Sequence, residues 1–268
     1  MTIETTARRA ALVAASLAVA LSITGCTAGA YSATFPTPSG FSSRSAGSPP
    51  APSTPTDAHP TASARPVAPP ALDPAAASAD ARAVLATIPV KGKAPKTGYD
   101  RVGDFGPAWK DMDHNGCDTR NDILARDLLD ETKSGSCRVL TGILHDPYTG
   151  KTIDFVRGPN SAAVQIDHRV PLANAWQTGA QQLTLDARER LANDPLNLVA
   201  VDGPTNERKS DGDAATWLPP QVSYRCAYVA LQVAVKARYH LWVAPAEHDA
   251  IARVLAGCPV IRVPTQGH

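Results

Sequence analysis

Three short segments decide the fold of this 268-residue chain: QIDHRVP from Gln165 to Pro171, NDPLNLVAV from Asn193 to Val201, and PTNERKSD from Pro204 to Asp211. The first two have the apolar content of short β-strands, and the third has the pattern of a helix start after a turn. Neighbouring residues on a strand point to opposite faces, so Asp167 and His168 share one site only where their strand ends. The proline at position 171 supplies that end.

The residue types at these positions indicate a site for one cation and one phosphate. A carboxylate such as Asp167 is a ligand for a hard cation, and the imidazole of His168 is a base near neutral pH. In the third segment a Gly-Pro turn precedes Thr205, which we predict to be a helix N-cap. Asn206 then presents its amide oxygen in the first turn, where the helix N-terminus favours a bound anion.

The spacing of Asp-His, Asn-Leu and Asn-x-x-Lys-Ser-Asp resembles the HNH, or ββα-metal, endonucleases, specifically their exported, lipoprotein-like bacterial branch. The resemblance is strongest over residues 166–172 and 193–220, and it extends upstream through 116–121 and downstream to Cys258. It implies an α+β fold in which a ββα-metal nuclease core carries additional helices and a β-hairpin.

The resemblance also assigns roles to single residues. It implies that Asp167 and Asn206 are the metal ligands, that His168 is the general base, and that Asn197 supports the motif and belongs with the catalytic set. The family's name-giving pattern has a histidine where this chain has Asn206. Because an amide oxygen is a harder donor than imidazole, we expect Mg²⁺ rather than Zn²⁺, with Mn²⁺ as the alternative.

Contacts to the phosphates of a nucleic acid substrate are expected from Arg208, Lys209 and Arg120. Acidic residues outnumber basic ones around the motif, and the formal net charge of the chain is only +1. Binding to a polyanion is therefore expected to be weak and sensitive to salt. Further contacts to the phosphates are expected from Arg101 and from the lysine-rich loop 91–96. DNA and RNA fit this pattern equally.

A second candidate site lies upstream, in a loop that begins with Asp111, Asp113 and Asn115. It matches the first half of an EF-hand-like Ca²⁺ loop, with a glycine at the sixth position and Asp122 at the twelfth. An aspartate at the twelfth position is shorter than the usual bidentate glutamate. The alternative is that this loop belongs to the nuclease architecture and caps the following helix.

The remaining pattern predicts the elements around these sites. Helices are expected over residues 76–88, 121–131, 171–180, 184–192, 222–240 and 246–256, and strands over 137–144, 152–156, 164–170 and 197–201. The folded domain is therefore predicted to span residues 76–262, with a tail at 263–268.

The N-terminal part reads as an export signal and a tether. Arg8 and Arg9 precede an apolar run that is too short to span a bilayer, so residues 1–25 are predicted to be a signal peptide. Cys26 ends a lipobox-like sequence and is the predicted lipidation site, which anchors the protein to a membrane; ordinary cleavage near Ala28 or Ala30 is the alternative. The Ala, Pro, Ser and Thr composition of residues 26–75 predicts a disordered tether.

Four further cysteines fit an extracytoplasmic location. Three disulfide connectivities are open to them, and we favour Cys117 with Cys137 and Cys226 with Cys258 because each pair lies within one segment of the domain. A zinc site is the rival interpretation, but no pair has close C-x-x-C spacing.

Two functions from different classes are consistent with these features. The first is an exported, metal-dependent endonuclease on a flexible tether. The second is a catalytically silent cell-envelope binding module, Ca²⁺-dependent at the upstream loop. The intact set of Asp167, His168 and Asn206 favours the enzyme, because a binding module has no need for a base beside two cation ligands.

Overall fold

A computed structural model of the protein describes residues 79–263. The predicted signal peptide over 1–25, the lipidation site at Cys26, the tether over 26–75 and nearly all of the predicted tail lie outside these residues. These four features remain predictions. Within residues 79–263, no helix is both long enough and apolar enough to cross a bilayer.

The described residues form an α+β domain, as predicted. The helices are α1 (Ala81–Leu85), α2 (Arg101–Phe105), α3 (Thr119–Asp127), α4 (Leu172–Gln177), α5 (Leu185–Asn193), α6 (Gly203–Lys209), α7 (Arg225–Arg238) and α8 (Pro245–Ala256). The strands are β1 (Leu128–Ser134), β2 (Arg138–His145), β3 (Thr152–Val156), β4 (Val164–His168) and β5 (Leu198–Asp202). Short 3₁₀ turns lie at Ser161–Ala163, Ala180–Gln182 and Val222–Tyr224.

Two antiparallel sheets are present among the described residues. The strands β1, β2 and β3 form one sheet in that order, and β4 pairs with β5 in the other. The register of the second pair sets Asp167 opposite Val199 and His168 opposite Leu198. Helix α6 follows β5 without a linker, so β4, β5 and α6 together form a β-β-α unit.

Both faces of the β4–β5 pair are covered. Ile166 and Leu198 pack into one hydrophobic cluster with α3 and the three-stranded sheet. Val199 and Val201 pack into a second cluster with α1, α7 and α8. Because side chains alternate along a strand, this two-sided burial explains why β5 is apolar from Leu198 to Val201 and not alternately polar.

The predicted helix over 121–131 is wrong at its C-terminal end. Helix α3 stops at Asp127, and Leu128 starts strand β1, where it pairs with Leu144. Strand β1 is an edge strand and most of its side chains are exposed, so it lacks the alternation that would have marked it. Pairing with β2 outweighs the helical spacing of the leucines.

The start of α6 also differs from the prediction. Asp202, not Thr205, is the N-cap, and its carboxylate accepts a 2.9 Å hydrogen bond from the Thr205 amide. Gly203 and Pro204 are in the first turn of the helix, where proline is well tolerated. A Cβ at Gly203 would lie 2.1 Å from the carbonyl oxygen of Ala162, so only glycine fits at this point.

Both predicted disulfides are confirmed. Cys117 is bonded to Cys137 and Cys226 to Cys258. The first bond ties the segment before α3 to the residue that precedes β2, and the second ties α7 to the second residue after α8. All four cysteines are thereby used, which removes the zinc alternative.

Candidate active site

The end of β4 opens into a cavity of about 320 Å³ that is bordered by Asp167, His168 and Asn206. Asp167 and His168 leave the strand on opposite faces, yet both reach the cavity because the strand ends there. Asn206 reaches it from α6. The structure thus brings together the three residues that the sequence singled out.

Asp167 is buried and held by two partners. The Lys209 ammonium donates to Oδ1 at 2.9 Å and to Oδ2 at 2.8 Å. The hydroxyl of Tyr148, which lies in the turn between β2 and β3, also donates to Oδ2. The carboxylate is therefore fixed before any ligand binds.

The prediction that Lys209 contacts substrate phosphate needs correction. Its side chain is fully enclosed, with 0% of its surface exposed. Its third donor is directed to the backbone carbonyl of His168 at 2.7 Å, so all three donors are used inside the protein. Burial lowers the pKa of Lys209, and the negative charge of Asp167 opposes that shift. Lys209 ties α6 to the end of β4 and does not reach the solvent.

The imidazole of His168 is neutral and held in one tautomer. Its Nε2 lies 2.8 Å from the backbone carbonyl oxygen of Ala192, and since a carbonyl only accepts, Nε2 carries the hydrogen. Nδ1 is then the basic nitrogen of the ring. The Trp109 ring stacks against the imidazole, with centroids 6.4 Å apart and 15° between the planes. Burial, together with the positive charge of Arg101, lowers the pKa of His168 to about 4.

Asn197 does not border the cavity lined by His168. Its side chain is completely buried, and it accepts from the Val170 amide at 2.8 Å and donates to the Val170 carbonyl at 3.2 Å. Its own carbonyl accepts from the Arg169 amide at 2.8 Å. Asn197 therefore fastens the chain after β4 to the entry of β5. This is a positioning role that acts through the backbone.

Asn206 has a defined amide orientation. Its Nδ2 donates to Gln165 Oε1 at 2.8 Å, and Gln165 in turn donates to Glu207 at 3.0 Å. With Nδ2 engaged in this way, Oδ1 is the free end of the amide, and within residues 79–263 it makes no hydrogen bond. An amide oxygen in the middle of α6 is thus available at the cavity.

Two of the side chains that border the cavity, Asp167 and Asn206, carry oxygen donors of the type that a hard divalent cation takes. Asp167 Oδ1 accepts from Lys209 only, among the described residues, and a carboxylate oxygen has room for a second contact. No group of three or more His, Cys, Asp or Glu side chains within residues 79–263 is arranged to hold a metal ion. A cation here would be held by Asp167 and Asn206, with water and substrate oxygens completing its shell, as is common for Mg²⁺.

Basic side chains line the entrance. Lys96 and Arg101 border the same cavity, and Lys96 pairs with Asp211 at 2.8 Å. A neighbouring cavity of about 350 Å³ shares Asp211 and is lined by Lys93 and Arg208. This placement is consistent with the prediction that Arg101 and the 91–96 loop contact the phosphates of a substrate.

The other predicted phosphate contacts lie in different places. Arg208 is exposed in the neighbouring cavity and donates to Thr205 Oγ1 at 2.7 Å. Arg120 is half-buried and donates to the Val164 carbonyl at 3.1 Å, at the end of β4 remote from His168. The structure does not bring Arg120 to the cavity.

The upstream acidic loop is satisfied by its own backbone. Asp111 accepts from the Asn115 and Gly116 amides, and Asp113 accepts from the Asn115 amide and side chain. The oxygen of the Asn115 side chain accepts from the Cys117 amide instead of facing the carboxylates. Ca²⁺ binding at Asp111, Asp113 and Asn115 remains a prediction.

Sequence reasoning missed Tyr148, Trp109 and the true role of Lys209. Tyr148 is an aromatic residue inside a polar turn, DPYTG, which is an unusual place for a buried ring. Lys209 lies three residues after Asn206 on a helix, a spacing that places both side chains on one face. These two signals were present in the sequence. For Trp109, whose neighbour His168 is distant in the chain, we find none.

The fold and the cavity define an α+β domain with a candidate hydrolytic site at the end of a β-β-α unit. Residues 118–254 match the C-terminal domain of the GmrSD restriction endonucleases, and the chain belongs to this family. A relative from Arthroderma benhamiae, described as an uncharacterized secreted protein, is 36% identical over 180 residues, which cover 66% of this chain and 84% of the relative. No solved structure gives a significant match.

The family match bears out the expectation of an endonuclease-type domain. It covers Tyr148, Asp167, His168, Asn206 and Lys209, and it begins after Asp111, Asp113 and Asn115 of the acidic loop and after the basic residues Lys96 and Arg101. HNH-type chemistry, the metal and the lipid anchor remain predictions.

Proposed function

We propose that the protein is an exported, metal-dependent endonuclease that hydrolyses phosphodiester bonds in DNA, RNA or both through an HNH-type site. The observation that carries the proposal is the convergence of Asp167, His168 and Asn206 on one cavity. Membership of an endonuclease-domain family supports the reaction class.

His168 is the proposed general base. Its hydrogen bond to the Ala192 carbonyl fixes the proton on Nε2, so Nδ1 accepts the proton of an attacking water. Trp109 limits rotation of the ring by stacking on it. General-base catalysis of this kind contributes roughly 10²- to 10⁴-fold to a rate.

Asp167 and Asn206 are the proposed ligands of a divalent cation, most readily Mg²⁺ and alternatively Mn²⁺. When bound, such an ion supplies stabilisation of the charge that develops on the phosphate and on the leaving oxygen. Lys209 keeps the Asp167 carboxylate in place, and Gln165 keeps the Asn206 oxygen free. By resemblance to the HNH endonucleases, the expected product carries a 5′-phosphate.

Substrate binding is proposed to rely on the cations at the entrance. Arg101 and Lys96 border the cavity itself, and Lys93 and Arg208 line the adjoining one. The two cavities share Asp211, so these side chains lie around one continuous region of the surface. Since Lys96 and Lys93 are paired with Asp211 and Asp213, substrate phosphates must compete with those carboxylates. Such competition favours weak, salt-sensitive binding.

Export and a lipid anchor at Cys26 belong to the proposal. Two disulfides in one domain are typical of an oxidising compartment. The relative from Arthroderma benhamiae is described as secreted. Mass spectrometry of the mature N-terminus, in a membrane fraction, tests the anchor; a mature chain that begins after Cys26 would exclude it.

The activity is tested with the full chain, supercoiled plasmid DNA and RNA, each in the presence of Mg²⁺, Mn²⁺ or EDTA. We expect cleavage with Mg²⁺ or Mn²⁺ and none with EDTA. Absence of cleavage of both substrates with either metal would refute the proposed function.

A further inference from the structure

The turn between β2 and β3 carries a phenol into the site. Tyr148 is completely buried, although it lies in a turn of the three-stranded sheet, and its hydroxyl donates to Asp167 Oδ2. The donor and the carboxylate come from different sheets. The three-stranded sheet is therefore connected to the proposed metal ligand by a side-chain hydrogen bond.

The turn is anchored at both ends of Tyr148. Asp146 accepts from the Tyr148 amide at 3.2 Å and from the Asp202 amide at 3.1 Å, which fixes the turn to the end of β5. The Tyr148 carbonyl accepts from the Gln221 amide at 2.9 Å. The backbone of this residue thus has little freedom to move away from the site.

The ring of Tyr148 is enclosed by other aromatic rings. The centroid distances are 5.0 Å to Trp217, 5.7 Å to Tyr228 and 6.1 Å to Tyr224. With the ring packed on these sides, its hydroxyl is directed to Asp167. A phenol keeps its hydrogen at neutral pH, so the hydroxyl is the donor in this bond.

The two donors act on Asp167 unequally. Oδ2 accepts from both Tyr148 and Lys209, whereas Oδ1 accepts from Lys209 only, among the described residues. The carboxylate is therefore held mainly at one oxygen, and the second oxygen keeps capacity for another contact.

We propose that Tyr148 is a positioning residue of the proposed endonuclease, which orients the Asp167 carboxylate so that Oδ1 is presented to the cation. The inference rests on the proposed function. Partners of this kind, one step removed from the metal, typically change metal affinity or activity by about 10- to 100-fold when they are removed.

The test compares Tyr148→Phe with Tyr239→Phe in the full chain. Tyr239 is a matched control, because its buried hydroxyl donates to Asp194 at 2.8 Å and Arg238 pairs with the same carboxylate at 2.9 Å. That group also combines a phenol, an aspartate and a cationic side chain, here an arginine in place of a lysine, and it borders a different cavity. Affinity for Mn²⁺ is measured by isothermal titration in the absence of substrate, and kcat and KM are measured with Mg²⁺.

We expect Tyr148→Phe to weaken Mn²⁺ binding by about tenfold and to lower kcat, with KM for the nucleic acid unchanged. Tyr239→Phe should match the wild-type protein in all three quantities. Wild-type Mn²⁺ affinity and kcat in Tyr148→Phe would overturn the positioning role while leaving the proposed function intact. A wild-type protein that neither binds Mn²⁺ nor cleaves nucleic acid would overturn both.

A second measurement does not depend on the fold of the phenylalanine variant. With 3-fluorotyrosine incorporated at position 148, the hydroxyl and the packing are kept, and the ¹⁹F resonance reports on the bond to Asp167. Titration with Mg²⁺ should shift this resonance, and the same label at position 239 should not shift. A resonance at position 148 that is unaffected by saturating Mg²⁺ would overturn the inference.

Discussion

The Nε2 nitrogen of His168 donates a 2.8 Å hydrogen bond to the backbone carbonyl of Ala192, the penultimate residue of α5. This bond fixes the tautomer and leaves Nδ1 as the basic nitrogen. Burial disfavours the imidazolium form, and the nearby positive charge of Arg101 acts in the same direction. The ring is therefore neutral, and able to accept a proton, over most of the accessible pH range.

The first prediction concerns the pH dependence of cleavage. With the pKa of His168 at about 4, the base is deprotonated at all pH values well above 4. The acid limb of kcat/KM should have its midpoint near pH 4, because kcat/KM reports ionisation in the free enzyme. Values of kcat/KM measured between pH 3.5 and 8 at saturating Mg²⁺ test this midpoint. A midpoint at about pH 6.5, the usual pKa of histidine, would show that the ring is not buried as described.

The second prediction concerns stability and needs no activity. The pKa of His168 is lower in the folded protein than in the unfolded chain, so the unfolded chain binds more protons between about pH 6.5 and 4. This contribution to stability is fully present above the unfolded pKa. The stabilisation is lost as the pH falls from about 6.5 toward 4, and the total loss approaches about 3 kcal/mol. Urea unfolding at several pH values should show a shallower pH dependence for His168→Gln than for the wild-type protein.

The matched control for that experiment is His145→Gln. His145 is exposed at the end of β2 and bonds only to Thr152 in the described part of the chain. Its substitution should leave the pH dependence of the wild-type protein unchanged. Equal slopes for His168→Gln and His145→Gln would contradict the account.

The third prediction concerns the buried ion pair between Lys209 and Asp167. Lys209→Met leaves a buried carboxylate without its cation, which is expected to reduce the free energy of unfolding by about 3–5 kcal/mol. Arg208→Met, at the adjacent exposed position, should change it by no more than about 0.5 kcal/mol. Urea denaturation compares the two. Similar stabilities for both variants would place Lys209 at the surface, as the sequence alone had led us to expect.

The fourth prediction concerns substrate binding. Arg101 borders the cavity, whereas Arg120 donates to the Val164 carbonyl at the far end of β4. In the presence of EDTA, Arg101→Ala should weaken nucleic acid binding and reduce the slope of log affinity against log salt by about one. Arg120→Ala should leave that slope unchanged. Fluorescence anisotropy over a range of salt concentrations measures the slope for each variant. A reduced slope for Arg120→Ala with an unchanged slope for Arg101→Ala would contradict the proposed binding surface.

Much of the fold follows from local patterns in the sequence. The apolar runs around Ile166 and Val199 predicted the two strands, and spacing within segments favoured both disulfides. The same reasoning failed for β1. Leu128 and Leu129 continue the helical spacing that begins at Ile123, and the rest of that strand is polar and exposed. An edge strand of this kind is specified by its partner β2, which lies later in the chain.

The residues that converge on the cavity were predictable from the sequence, but the side chains that support them were not. Asp167, His168 and Asn206 stand in a recognisable order, whereas the positions of Tyr148 and Lys209 depend on tertiary packing. In the sequence, Arg208 followed by Lys209 on a short helix is typical of a solvent-exposed helix face. Only the docking of α6 against β4 shows that Lys209 points inward.

The central claim is that His168 is the base of a phosphodiester-cleaving site, and the most direct test is single-turnover cleavage by His168→Ala. The wild-type protein and the variant are compared at pH 7 with Mg²⁺ and whichever nucleic acid the wild-type protein cuts, after Mn²⁺ titration shows equal metal affinity. The account predicts a rate lower by roughly 10²- to 10⁴-fold, with the fold intact. A His168→Ala protein that cleaves at the wild-type rate would contradict it.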